Sequence, residues 1–123
     1  MNIYKRRRIV GSIAALAVLE VIAEPTRRRI LDAVRDRERS VNDLVEQLGM
    51  NQPGVSRHLK VLRDAGLVEV RRDAQRRIYS LRAEPLAELD EWLAPYRRHW
   101  ADRLDALEQH LARNRTRTER HEP

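Results

Sequence analysis

Residues 51-NQPGVSRHLKVLRDAGLVEV-70 decide the fold of this chain. Asn51 is a helix-capping residue, and Pro53 fits a first helical turn because its missing N–H group would have no helical partner there. Three apolar residues fall within about 60° of one another on a helical wheel and form one buried stripe: Val55, Leu59 and Leu62. Gly66 then ends the helix. The stretch predicts a short helix over 51–65 that leads into a half-buried strand.

The remaining faces of this predicted helix carry long polar side chains: Gln52, Ser56, Arg57, His58 and Lys60. Gln can bond the edge of adenine, and Ser can bond either partner of a base pair. We expect Arg57 to bind a base or a phosphate, and Lys60 to bind a phosphate. The plainer interpretation is a solvated face. For His58, which lies beside the apolar stripe, that interpretation is a packed, hydrogen-bonded ring.

The preceding residues predict a second short helix. Ser40 and Asp43 resemble a capping box, with Asp in place of the more usual Glu. Apolar residues follow at helical spacing: Val41, Leu44, Val45 and Leu48. Gly49 supplies a left-handed stop, and only Met50 separates it from the next cap. Two helices joined in this way form a helix-turn-helix, whose second helix enters the major groove of DNA.

A β-hairpin is predicted directly after the helix-turn-helix. Residues 67-LVEVRR-72 alternate apolar and charged side chains, residues 76-RRIYSL-81 do so less cleanly, and 73–75 form the turn. This hairpin would be the wing of a winged helix. Its tip is basic and suits phosphates or the minor groove; the residues expected to contact DNA there are Arg71, Arg72, Arg76 and Arg77.

The two ends of the chain predict dimerisation helices. The winged-helix domain is expected to span 12–112, with a first helix at 12–23 and a last helix at 84–112 that carries an apolar seam. The residues expected at the dimer interface are Leu16, Leu19, Trp92, Trp100, Leu104, Leu107 and Leu111. A small-molecule pocket is the alternative for the two tryptophans. Residues 1–11 are expected to be a flexible basic extension, and 113–123 a disordered polar tail.

Composition bounds the function. The chain has 123 residues, a net charge of +6, 36% charged residues and no cysteine. Without cysteine there is no disulfide, thiolate metal site or cysteine nucleophile, and no phosphate-binding glycine loop or nucleophile elbow is found. The sequence predicts a mainly α fold (α+β, about five helices with a two-stranded wing) that binds nucleic acid and is not an enzyme.

The N-terminus allows a competing interpretation. Residues 5-KRRR-8 followed by 9-IVGSIAALAVL-19 resemble a signal peptide or a membrane anchor. The apolar stretch is short for a membrane span, and Glu20 interrupts it. A buried helix covered by a partner subunit explains the same residues.

The chain resembles the ArsR-type winged-helix repressors of bacteria. The resemblance lies in 24-EPTRRRILDAV-34, in 40-SVNDLVEQLGMNQPGVSRHLKVLRDAGLVEVRRDAQRRIYSL-81 and in 85-PLAELDEWLAPYRRHW-100. It implies a homodimer, built from the first and last helices, that represses transcription by occupying an inverted-repeat operator. The absence of cysteine fits the cytoplasmic location that we expect.

The resemblance raises the possibility of metal sensing, which the residues argue against. One metal site of the family uses cysteines in the helix that here reads 40-SVNDLVEQLG-49. Another places Asp-x-His and His-x-x-Glu/His on the last helix. His99 and His110 match in part, but Arg97 and Arg113 stand where acidic or histidine ligands are needed. We therefore expect no metal and no cofactor.

Three hypotheses follow for the function. The leading one is a sequence-specific, DNA-binding homodimeric repressor that uses helix 51–65 and wing 67–82, with no effector assigned. The alternatives are a winged helix that binds another protein, and a membrane-anchored regulator that uses residues 5–19.

Overall fold

The computed structural model describes the backbone of residues 3–121 and the side chains of residues 13–118. Within this range the elements are α1 (Ile3–Ile22), α2 (Pro25–Asp36), β1 (Arg39–Ser40), α3 (Val41–Leu48), α4 (Gln52–Asp64), β2 (Val68–Asp73), β3 (Arg76–Leu81) and α5 (Glu84–His121). The described residues divide into two compact units, one ending at Trp92 and the other beginning at Leu93. The first unit holds the helix-turn-helix and the sheet.

The caps predicted for the helix-turn-helix are confirmed. Ser40 Oγ accepts a hydrogen bond from the Asp43 N–H at 3.1 Å, and Asp43 Oδ2 accepts one from the Ser40 N–H at 2.9 Å. Gly49 takes the left-handed conformation, with φ of 65°, and ends α3. Asn51 Oδ1 then accepts from the Gly54 N–H at 2.8 Å and begins α4. These local bonds set the tight turn between the two helices.

Gly54 has a specific steric role at the start of α4. A Cβ atom at this position would lie 2.9 Å from Asn51 Oδ1, the atom that caps the helix. A larger residue would therefore compete with the cap, which offsets the cost of glycine in a helix.

The hydrophobic core of the first unit joins α2, α3, α4 and the sheet. It consists of Ile30, Ala33, Val34, Leu44, Leu48, Val55, Leu59, Leu62, Leu67, Val68 and Tyr79. The predicted stripe of α4 is confirmed, because each of its three residues is 0% exposed. The burial of that stripe fixes the rotation of α4, and thereby which of its residues face solvent.

The sheet has one strand more than the predicted hairpin. The short strand β1 pairs antiparallel with β3, which gives the order β1-β3-β2. Sequence periodicity misses a strand of two residues, and here Ser40 also caps α3. The observed turn is also shorter than the predicted one. Asp73 pairs with Arg76, which leaves only residues 74–75 in the turn, and Ala74 adopts a positive φ of 58°.

The terminal helices are longer than predicted. Residues 3–11, expected to be a flexible extension, belong to α1, and residues 113–121, expected to be a disordered tail, continue α5. Residues 113–121 contain no apolar side chain, so apolar periodicity cannot indicate a helix there. The segment 113–121 contains no Gly or Pro, and the Thr116 and Thr118 hydroxyls each donate to a backbone carbonyl four residues earlier at 2.9 Å. Residues 1–2 and 122–123 lie outside the described range.

Two arginines of α2 cap the end of α1. Arg27 Nη1 donates to the Val21 carbonyl at 3.2 Å, and Arg28 Nη1 donates to the Ile22 carbonyl at 2.9 Å. Cations at a helix C-terminus satisfy its last carbonyls and oppose the negative end of its dipole. Arg27 and Arg28 thus connect the start of α2 to the end of α1.

We expect the capping box to give the fold a measurable pH dependence. The hydrogen bond from the Ser40 backbone N–H lowers the pKa of Asp43 below its usual value of 3.8. Ionised Asp43 therefore stabilises the fold fully above that value, and the contribution is lost as the pH falls through the folded-state pKa. Replacing Asp43 with Ala should cost about 0.5–1 kcal/mol at neutral pH, a small figure because solvent screens the carboxylate.

Urea unfolding of Asp43→Ala and the parent chain at neutral and acidic pH tests this expectation. The difference in unfolding free energy should be present at neutral pH and should shrink in acid. Glu46→Ala, an exposed acid on the same helix, should show no such change. An equal difference at both pH values would show that the Asp43 charge does not stabilise the cap.

Candidate nucleic-acid interface

The exposed face of α4 carries most of the residues predicted to read DNA. Gln52, Ser56, Arg57 and Lys60 are all exposed, because burial of the apolar stripe turns them away from the core. Gln52 lies in the first turn of α4, and Ser56 and Arg57 lie in the second. In a helix-turn-helix, the N-terminal turns of the second helix are the part that meets base edges. The structure therefore presents these four side chains to solvent on one rigid element.

A cleft of about 620 Å³ lies between α4 and the wing, the hairpin formed by β2 and β3. Its lining residues are Ser40, Val41, Asn42, Gln52, Ser56, Lys60, Arg63, Asp64, Gln75, Arg76, Arg77 and Tyr79. The sequence pattern did not single out Asn42, Arg63, Asp64 or Gln75, which also line the cleft. Arg63 follows Lys60 by one helical step, so an extension of the polar stripe by one turn would have found it. Arg57 is exposed but does not border this cleft.

The register of the wing divides its four arginines between two faces. Arg72 lies opposite Arg77, and this pair continues the face on which Val70 lies opposite Tyr79. Side chains alternate along a strand, so Arg71 and Arg76 lie on the other face. The sequence predicted one basic tip, whereas the structure separates it into two chemically different pairs.

The second face of the wing is neutralised by acids. Arg71 Nη2 lies 2.7 Å from Glu38 Oε2, and Arg76 Nη2 lies 3.8 Å from Asp43 Oδ2. The hydrogen bond between Arg71 and Glu38 lowers the pKa of the carboxyl and raises the pKa of the guanidinium. Arg71, predicted to contact DNA, is thus engaged with the body of the domain in this structure.

His58 differs from the other predicted DNA-contacting residues of α4. Its side chain is only 20% exposed. Arg27 Nε donates to His58 Nδ1 at 3.4 Å, and Glu24 Oε2 lies 3.8 Å from the same nitrogen. The ring takes the packed placement of the alternative interpretation, against the start of α2, rather than the solvent-facing placement that a base contact needs.

The residues predicted for a dimer interface are largely exposed in the single chain. Leu19 is half-buried, while the others are exposed: Leu16, Trp92, Trp100, Leu104, Leu107 and Leu111. On α5 the exposed fractions are 54% for Trp100, 60% for Leu104 and 51% for Leu107. Helical spacing places these residues on one face, so α5 carries an apolar stripe that is not covered within the described part of the chain.

Two further features bear on the alternatives. Within residues 3–121, no helix combines the length and apolar character needed to cross a bilayer. Among the described side chains, no three His, Asp or Glu residues converge as metal ligands would.

Comparison with known proteins identifies the family. The model described as "Bacterial regulatory protein, arsR family" matches residues 24–70. The transcriptional repressor SdpR of Bacillus subtilis is 32% identical over 76 residues, which make up 62% of this chain and 84% of SdpR. This chain belongs to the ArsR family of bacterial regulatory proteins. The relatives it resembles are named as transcriptional regulators and repressors.

Two further similar proteins differ in how much of their length the match covers. Reduced HlyU from Vibrio cholerae superimposes with a TM-score of 0.62 at 33% identity, over 74% of this chain and 97% of HlyU. The regulator KmtR of Mycobacterium tuberculosis is 44% identical over 72 residues, which make up 58% of this chain and 55% of KmtR. The match thus spans about half the length of KmtR. The predicted winged helix-turn-helix fold is confirmed.

Proposed function

We propose that this ArsR-family chain is a homodimeric transcriptional repressor that binds an inverted-repeat DNA operator. The observation that carries the proposal is the orientation of α4. Its apolar stripe is 0% exposed, and its polar face opens onto a cleft shared with the basic wing. A helix held in this way can enter the major groove while the wing contacts the flanking backbone. Such a protein would act in the cytoplasm, where the operator is accessible.

The residues of α4, the proposed recognition helix, would contact bases or phosphates according to their position on the helix. Gln52 and Ser56, in the first turns, would bond base edges, since amide and hydroxyl groups read adenine and other bases there. Arg57 would bind a base or a phosphate, and Lys60, two turns from the start, would bind a phosphate. Gln52, Ser56 and Lys60 all border the cleft shared with the wing.

The homodimer is proposed from the uncovered apolar stripes. Leu16 of α1 is 55% exposed, and the α5 stripe from Trp100 to Leu111 is exposed by half or more. Contiguous apolar surface of this kind marks an interaction site. A second copy is the occupant we propose, because two-fold symmetry places two recognition helices about 34 Å apart, one turn of DNA.

Replacing Arg57 or Lys60 with Ala is expected to change DNA binding in different ways. If Arg57 reads a base, Arg57→Ala should cost about 1–3 kcal/mol on the operator and relax one base position. Lys60→Ala should weaken binding to all duplexes alike and reduce the slope of log K against log salt by about 1. Selection of bound sites from a random duplex pool, followed by salt titration, measures both.

Arg35→Ala is the matched control for these two variants. Arg35 lies on α2 beside Asp32 and Asp36, and its loss should change neither site preference nor salt slope. A uniform loss in Arg57→Ala would make Arg57 a phosphate contact. A parent chain that selects no DNA, but captures a protein through the same face, would support the protein-binding alternative.

A further inference from the structure

The wing face that carries Val70, Arg72, Arg77 and Tyr79 bears positive charge that the described residues do not neutralise. Directly opposite residues on antiparallel strands have Cβ atoms about 4.5–5.5 Å apart, and like charges placed so are destabilising. Arg72 and Arg77 form such a pair at the end of the strands. Ion pairs found among the described side chains involve Arg71 and Arg76 but neither of these two. Both arginines are exposed, and neither has an ion-pair partner among the described side chains.

A third arginine joins the pair from the recognition helix. A small cleft of about 150 Å³ is lined by Arg63, Val70, Arg71, Arg72 and Arg77. Arg63 lies in the last turn of α4. The acids next to these arginines in sequence, Asp64 and Asp73, do not line the small cleft, and the guanidinium of Arg71 is bonded to Glu38.

We infer that Arg63, Arg72 and Arg77 form a single site for one backbone phosphate of duplex DNA. The inference rests on the proposed function and adds the wing contact to it. Arginine presents several N–H donors in a fixed plane and suits phosphate oxygens. A phosphate among the three guanidinium groups would remove their repulsion. Because the site includes the end of α4 and both wing strands, it would hold the recognition helix and the wing in register on the backbone.

The other two wing arginines have a different role under this inference. Arg71 and Arg76 are positioning residues that attach the wing to the body through Glu38 and Asp43. They act on DNA only by holding Arg72 and Arg77 in place. Arg71 lines the small cleft with Arg72 and Arg77, and Arg76 lines the larger cleft with Arg77, but each of the two is paired with an acid.

The test compares salt dependence of binding to a duplex of random sequence, since a phosphate contact is independent of sequence. The triple variant Arg63→Gln, Arg72→Gln and Arg77→Gln should reduce the slope of log K against log salt by about 1 per subunit, as expected for one phosphate. The losses in log K of the three single variants should not add up to that of the triple variant, because the residues share one ligand. The urea midpoint of the triple variant should be unchanged or higher, since a repulsive pair is removed.

Several outcomes would overturn the inference while leaving DNA binding by the parent chain intact. One is an unchanged slope in the triple variant. Another is an additive slope loss of about 3 per subunit, which would mean three separate phosphates. A third is stabilisation of the parent chain against urea by inorganic phosphate that is lost in the triple variant, while the slope of log K for DNA against log salt stays the same. If the parent chain itself does not bind duplex DNA, the proposed function fails instead. Arg35→Gln is the matched single-charge control.

The direction of the change in DNA affinity in two variants tests the positioning role of Arg71. If Arg71 acts through Glu38, then Arg71→Gln and Glu38→Gln break the same bond and should weaken DNA binding to a similar degree. If Arg71 contacts phosphate, Glu38→Gln should strengthen binding by releasing the guanidinium, while Arg71→Gln weakens it. Changes of opposite sign would overturn the positioning role.

Discussion

Leu104→Glu combined with Leu107→Glu should convert the protein to a monomer and abolish operator binding at concentrations where the parent chain is saturated. Both residues are more than half exposed in the single chain and lie on the apolar stripe of α5. In the proposed dimer they are buried, and each buried, unpaired carboxylate costs roughly several kcal/mol. Since each subunit contributes two such carboxylates, the penalty exceeds what an interface of ordinary size can offset.

Sedimentation and DNA binding, measured on the same sample, test this expectation. The matched control is Ala106→Glu with Gln109→Glu, which adds the same two carboxylates to the opposite side of α5 by helical spacing. The control should sediment and bind as the parent chain does. A dimeric Leu104/Leu107 variant would show that the α5 stripe is not the interface.

The second large effect is expected from Leu59→Ala, at the centre of α4. Leu59 is 0% exposed and belongs to the core that joins α2, α3, α4 and the sheet. Truncation of a buried leucine removes apolar contacts and leaves a cavity, at a cost of about 2–5 kcal/mol. In a domain of ordinary stability this is a large part of the unfolding free energy.

Lys60→Ala is the matched control for Leu59→Ala, because the adjacent residue lies on the exposed face. Its unfolding free energy should stay within about 0.5 kcal/mol of the parent value. The two variants should therefore separate stability from DNA affinity: the first lowers stability, and the second lowers affinity in a stable protein. Equal stability losses in urea unfolding would mean that α4 is rotated differently from the structure.

The sequence was sufficient for the helix-turn-helix because its signals there are local. The Ser40 capping box, the Gly49 stop and the Asn51 cap each depend on a few neighbouring residues, and each is present in the structure. The stripe of α4 has a clear helical period, so the exposed face of α4 followed from it. Where the determinants of structure lie within one turn of the chain, pattern and geometry agree.

The wing and the helix ends required tertiary information. The separation of Arg72 and Arg77 from Arg71 and Arg76 depends on strand register and on acids that are distant in sequence, of which Glu38 is the clearest case. His58 was ambiguous because its partner, Arg27, lies on another helix. Strand β1 was missed because two residues show no period. The start of α1 was placed too late and the end of α5 too early, because the basic stretch 5–8 and the polar stretch 113–121 carry no apolar pattern.

The central claim is that this chain binds duplex DNA through the α4 face and the wing. The most direct test is the affinity of the parent protein for duplex DNA as a function of salt concentration. With about three or four phosphate contacts from each of two subunits, log K should fall against log salt with a slope of roughly −5 to −7. A slope near zero, or no binding at low salt, would contradict the claim.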